Sequence, residues 1–312
     1  MQKQKNTHWA HTTERGSTLG ISFLAFVFKV FGARFCKVIM SPVLLYFYLF
    51  NGVARRNTYH YLQIISQFDD VHVKASQWNV VKIIFNFGYG IVDKLGAWTG
   101  KFPLVNVIPV DDEDFRYHEK NNIGALLLIS HLGNFEMSRV ASQLRSTAKF
   151  NIFMHTKNSA KIMKLIDGLN EKSKVSIIQG DNFSMSSIMN LKDKIDAGEF
   201  VVIAGDRIPV NSSDENDSTT ITTKFLGHEA KFPIGPFVLS KVLECPIITL
   251  FSIKQRGKYS VYFKKLTDKV VFNRKNRQQV LHEIIEIYVK ELERQTKKAP
   301  LQWYNFHKFW NQ

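Results

Sequence analysis

The amino-acid sequence predicts an α/β fold, a mostly parallel central sheet flanked by helices, preceded by an apolar helical segment at the N-terminus. Three observations carry that prediction. Short β-rich runs recur from Leu104 onward, with helical segments between most of them, the rhythm of strand–helix units on a parallel sheet. One run, Ile123 to Ile129, is apolar at nearly every position, as a strand buried on both faces requires. Leu19 to Phe50 holds two long apolar blocks. At 312 residues the chain is long enough for one large domain with an appendage, and we divide it into a leader and anchor (1–55) and an α/β domain (56–312).

The N-terminal blocks are interrupted by Lys29, Arg34 and Lys37 and followed by Arg55-Arg56. Neither reaches the roughly 20 uncharged residues of a spanning helix, and no small-x-small cleavage pattern follows. The reading is a retained membrane anchor. It is either one tilted helix whose basic side chains reach the interface, or two interfacial helices broken at Ser41-Pro42. The alternative is a helical hairpin of the globular core. Flanking positive charge favours the cytoplasmic side for the rest of the chain.

Tyr59 to Phe87 carries helical apolar spacing, at Tyr61, Ile64, Ile65 and Phe68 and then Val81, Ile83, Ile84 and Phe87, ending at the breaker Gly88-Tyr89-Gly90. Strands are expected at 104–110, 123–129, 150–154, 175–179, 200–204, 247–252 and 260–263. Helices are expected at 136–144, 159–170, 184–197, 236–243 and, long and amphipathic, 277–296. The polar run 211–220 reads as a loop. Cys36 and Cys245 fit neither a metal nor a redox spacing, so the expectation is a reducing, cytoplasm-facing domain.

Chemistry concentrates in Ser130-His131-Leu132-Gly133-Asn134-Phe135-Glu136. The apolar strand delivers His131 to its carboxyl end, where open α/β sheets bind ligands. Gly133 and Asn134 suit a tight turn, and Glu136 opens a helix. Five residues apart on a continuous helix, the two side chains would diverge by ~140°. The turn lets Glu136 fold back onto one imidazole nitrogen and leave the other as a general base. Such a base suits acyl transfer, in which an attacking hydroxyl or amine must lose its proton. Ser130 is the rival nucleophile, disfavoured because strand neighbours point to opposite faces.

Six ordered blocks resemble the bacterial lipid A biosynthesis acyltransferases, the lauroyl and myristoyl transferase family within the lysophospholipid acyltransferase superfamily. They are Trp9 with Glu14-Arg15-Gly16, SHLGNFE at 130–136, FNIFMHTKN at 150–158, VIAGDR at 202–207, the Lys224–Pro236 stretch with Phe225 and Gly227 leading into CPII at 245–248, and PLQWY at 300–304 with His307. The resemblance implies an acyl donor carried as a thioester, acyl carrier protein or CoA, a lipid or lipid-like acceptor, and the cytoplasmic face of a bacterial inner membrane. It implies no metal and no cofactor. It nominates His131 as base, Glu136 as its partner, and Asn134, Lys157, Asp206, Arg207 and Gly227 as substrate-binding positions. Arginine suits phosphate through its paired donors. Where the family's second block often carries arginine, this chain has Met154-His155, which leaves Lys157 for any anion contact.

Within the same fold the acceptor could instead be a lysophospholipid, an amino-acid lipid or a polyene. From another class, the alternative is a non-catalytic basic protein tethered to a membrane. With 42 basic against 27 acidic residues, a formal charge of +15, the surface seeks anions. No nucleic-acid partner is expected, because the basic residues are scattered and no nucleic-acid module is present. The acidic run 111–114 reads as a solvated turn, lacking an ordered ligand loop.

Overall fold

The structure, a computed structural model, describes residues 18–138, 148–154, 176–179, 185–208 and 219–310. The first helix, α1 (Thr18–Phe50), bends at Gly32, whose φ of 80° and ψ of 179° leave the helical region. The bend brings Cys36 Sγ to 3.6 Å from the Leu24 carbonyl. The expected break at Ser41-Pro42 does not occur. Proline's fixed φ is compatible with helix, whereas glycine alone adopts a positive φ without cost.

After α2 (Gly52–Ile65) the chain leaves the helix, and α3 (Gln77–Trp98) restarts where Ser76 Oγ accepts from the Asn79 N–H. The expected stop at Gly88-Tyr89-Gly90 is absent, and α3 continues through both glycines. Close packing explains Gly88: a Cβ there would lie 2.4 Å from Leu44 Cδ2 of α1. The two helices run antiparallel, joined by Ser41 Oγ to Tyr89 OH at 3.0 Å and by Lys37 Nζ to Asp93 Oδ1 at 3.0 Å. Asp93 is buried and also takes Lys254 Nζ at 2.6 Å and the Tyr259 hydroxyl at 2.8 Å. One carboxylate thus ties α1 and α3 to the sheet.

The strands in chain order are β1 (Val107–Asp111), β2 (Ala125–Ile129), β3 (Phe150–Met154), β4 (Ser176–Gln179), β5 (Phe200–Ala204), β6 (Thr220–Phe225), β7 (His228–Pro233), β8 (Ile247–Gln255) and β9 (Lys258–Thr267). Seven of them form one sheet in the order β1-β9-β8-β2-β5-β3-β4. Every pairing in it is parallel except β8 with β9. The fold is therefore the expected α/β class with a mostly parallel sheet flanked by helices. In β2 every residue is buried. Leu126 and Leu128 join the core on one face, while Ala125, Leu127 and Ile129 join the core on the other. At about 1.5–3 kcal/mol per fully buried Leu or Ile, β2 is a rigid base for whatever its carboxyl end carries.

Among the described residues the other complete helices are α4 (Glu113–Lys120), α5 (Met185–Asp196), α6 (Gly235–Leu243) and α7 (Arg277–Lys298). Of the expected helix 136–144 the first turn is described, residues 136–138; the expected helix 159–170 lies outside the described residues. An unexpected hairpin, β6 with β7, forms a separate two-stranded sheet. Its two-residue turn, Leu226-Gly227, has φ of 52° and 79°, the geometry matching strand twist in tight hairpins. The C-terminal tail packs Trp303, Phe309 and Trp310 against Phe225 of this hairpin.

Candidate active site

Register brings the site together. In the parallel pair β2–β5, Ala125 faces Phe200 and Ile129 faces Ala204, an offset that continues one step on as Gly205 N–H donating to the Ile129 carbonyl. Carried past both strand ends, it sets His131 opposite Asp206. Asp206 Oδ2 accepts the His131 backbone N–H at 2.8 Å and Oδ1 lies 2.8 Å from His131 Nδ1. Two points of attachment fix both the main chain and the imidazole plane.

The carboxylate on His131 is thus Asp206, and the expected pairing with Glu136 is corrected. Glu136 Oε2 instead accepts from Trp98 Nε1 at 3.2 Å, at the end of α3. The reason is geometric. The turn sends Glu136 into the first turn of the next helix, against α3, while the parallel register already supplies a carboxylate to Nδ1.

The electrostatics suit a base. Burial pushes the His131 pKa down, and Arg207 and Lys94 add to this against the opposing pull of Asp206. Burial acts to raise Asp206, but the neighbouring His131, its hydrogen bonds and Arg207 outweigh it and hold the carboxyl below its ordinary value. The pair is a neutral imidazole against a carboxylate. Because the carboxylate only accepts, Nδ1 carries the proton and the lone pair sits on Nε2. The His131 side chain is 32% exposed whereas Asp206 is 2% exposed, so the ring is reachable and its partner is shielded.

The turn after His131 is clamped from two sides. Gly133 N–H donates to the Gln302 carbonyl at 2.8 Å, Asn134 N–H to the Ser252 carbonyl at 2.8 Å, and Tyr304 N–H to the His131 carbonyl at 2.9 Å. Gly133 has φ of 71°, and a Cβ there would lie 2.0 Å from the Ser252 oxygen, so glycine is required by backbone and space alike. Asn134, expected at the substrate, is buried and donates its amide to the Gly90 carbonyl at 3.1 Å; its place is that of a brace between turn and α3. Ser130 is buried and its Oγ accepts from the Leu132 N–H.

Arg207 follows Asp206 and reaches the Tyr304 carbonyl at 3.4 Å through Nη2. Gly227 sits at the β6–β7 turn, where its positive φ accounts for the glycine, and the preceding Leu226 N–H is held by Glu293 of α7. Lys157 lies outside the described residues. Sequence reasoning did not single out Lys94 and Trp98 of α3, Gln302 as a main-chain clamp, or Tyr288, whose hydroxyl donates to the Ile129 carbonyl at 3.2 Å just before the site. The helical spacing of Gly90, Lys94 and Trp98 was the one signal for the α3 residues.

A model of the family described as bacterial lipid A biosynthesis acyltransferase matches residues 98–312. The chain belongs to that family. The matched span takes in the whole sheet, the His131 turn, Asp206 and the C-terminal clamp. Membership makes the chain an acyltransferase, with an acyl donor and a lipid-like acceptor as its partners in general terms. No curated protein matches it.

Proposed function

We propose that this lipid A acyltransferase family member moves a fatty acyl group from a thioester, on acyl carrier protein or CoA, to a hydroxyl or amine of a lipid-like acceptor. His131 is the general base and Asp206 its orienting carboxylate. The observation that carries this reading is the double contact of Asp206 with the His131 main chain and Nδ1, which leaves the lone pair of the neutral ring on Nε2. The acceptor's proton passes to Nε2 as its oxygen or nitrogen attacks the thioester carbonyl. The tetrahedral intermediate then collapses with cleavage of the carbon–sulfur bond, and the imidazolium returns the proton to the departing thiolate. Asp206 stabilises the imidazolium between the two steps, the division of labour of a hydrolytic triad. Arg207, beside the dyad, is the position we assign to an anionic group of donor or acceptor.

Membrane association, on the cytoplasmic face of a bacterial inner membrane, is part of the proposal. Among the described residues no helix is long and apolar enough to cross a membrane. The support is a one-sided surface: α1 packs one side on α3 and turns Phe23, Phe26, Phe31, Val38 and Phe50 to the exterior, with Trp78 of α3 also exposed. Large apolar side chains left exposed in this number point to an interaction surface, and Lys29 and Arg34 of the same helix, both exposed, suit anionic headgroups.

The test is transfer of labelled acyl groups from acyl carrier protein, and separately from CoA, into lipid extract by the purified full chain. Label entering lipid with wild type and not with His131→Ala supports the reading. Equal transfer by His131→Ala contradicts it.

A further inference from the structure

Helix α3 meets the catalytic turn along one ridge. Gly90, Lys94 and Trp98 are spaced one helical turn apart, and the first and third each hold a residue of the turn: the Gly90 carbonyl takes Asn134 Nδ2 at 3.1 Å and Trp98 Nε1 donates to Glu136 Oε2 at 3.2 Å. Lys94 lies between these two contacts, with Nζ 5.8 Å from the ring centroid of Phe135, the residue between Asn134 and Glu136. Glu136 is buried, and a buried carboxylate needs a compensating charge or donors.

We propose that Lys94 is a positioning residue for the reaction, a cation that α3 holds over the Phe135 ring in the turn after His131, between the anchors of that turn at Asn134 and Glu136. This deepens the acyl-transfer reading and rests on His131 being the base.

Two consequences follow from the charges. Lys94 offsets the buried Glu136 carboxylate, which keeps the first turn of the helix after His131 against α3. It also opposes protonation of His131: burial lowers the imidazole pKa, and Arg207 and Lys94 lower it further. Burial lowers the Lys94 pKa below its ordinary value, and the Glu136 carboxylate opposes that shift in part. Among the described residues the charged groups that act on the imidazole are Asp206 and Arg207 at the end of β5 and Lys94 on α3; Glu136 of the following helix acts on Lys94, Tyr288 of α7 on Asp206, and Tyr304 of the tail is bonded to the His131 main chain. Asp206 favours the imidazolium and the two cations disfavour it. Lys94 belongs to a different element from the dyad, so it can be changed without altering the Asp206 contacts.

The experiment measures His131 directly. Wild type, Lys94→Met and Lys94→Arg are treated with diethyl pyrocarbonate across a pH series, and carbethoxylation of the peptide carrying His131 is followed by mass spectrometry. Only neutral imidazole reacts, so the midpoint reports its ionisation without any turnover. The expected result is a midpoint moved to higher pH in Lys94→Met and held near wild type in Lys94→Arg, with the acidic limb of the acyl-transfer rate moving the same way. Should Lys94→Met fail to fold, Lys94→Gln, which keeps a polar group on α3, is expected to show the same upward shift. An unmoved midpoint in the neutral variants overturns the proposal. So does an equal shift in Lys94→Arg, because repacking would then be the cause. Absence of acyl transfer in wild type with the midpoint still shifting would count against the transfer reading alone.

Discussion

Asp206→Asn separates the two carboxylates of the site. In the structure the carboxylate accepts twice, from the His131 main-chain N–H and from Nδ1–H, each at 2.8 Å. Asparagine has one oxygen for these two donors. With that oxygen on the main chain, its amide N–H group faces Nδ1 and demands an acceptor there, which drives the ring proton to Nε2 and removes the lone pair that takes the substrate's proton. The same fault in a serine-hydrolase triad lowers kcat about 10⁴-fold, or about 5 kcal/mol at ~1.36 kcal/mol per tenfold. A loss of that order is expected here, with the fold intact because the replacement is isosteric. Glu136→Gln keeps an acceptor for Trp98 Nε1 and leaves the dyad alone, so a smaller loss is expected. The assay is thiol release from an acyl thioester in the presence of lipid acceptor, with thermal unfolding of each variant measured alongside. An Asp206→Asn protein that works within fivefold of wild type, beside a Glu136→Gln protein that is nearly inactive, would refute the assignment and restore the pairing read from the motif.

Three further outcomes are expected. Burial, Arg207 and Lys94 hold the His131 pKa below its ordinary 6.5, so the base form persists into acid. The acidic limb of kcat/KM should therefore fall below that value, and a limb above it contradicts the electrostatic account. Gly133→Ala forces a side chain into a positive-φ position facing the Ser252 oxygen. The backbone strain alone costs about 1–3 kcal/mol, so a lowered Tm and lost turnover are expected, whereas an unchanged Tm would show that the turn tolerates a Cβ. Replacing Phe26, Phe31 and Phe50 together with glutamate places charge on the exposed face of α1 and should lower co-sedimentation with anionic vesicles. Undiminished sedimentation would move the membrane contact elsewhere.

The fold class was legible because β2 buries both faces, and a strand so placed must be apolar at every position, as Ala125 to Ile129 is. The β6–β7 hairpin was harder to read. Ile221, Thr223 and Phe225 do alternate with exposed positions, but threonine and lysine make the segment look like a polar loop. At α3 the glycines misled for a physical reason: Gly88 marks a close approach of Leu44, which only the tertiary packing reveals. His131 stood out through its place after the strand. Its partner did not, because Asp206 is distant in sequence and becomes a neighbour only through the β2–β5 register. Local spacing favoured Glu136, and the register decided for Asp206. Lys94 was invisible for a related reason, since its relation to His131 passes through the packing of α3 on the turn.

The central claim is that His131, oriented by Asp206, transfers an acyl group to a lipid-like acceptor. Lipid mass spectrometry of cells carrying wild type, His131→Ala or no copy tests it most directly. The account predicts a lipid heavier by one fatty acyl residue in the wild-type cells and in neither of the others. The same lipid made by His131→Ala cells, or lipid profiles that do not differ between wild type and the cells without the protein, would contradict it.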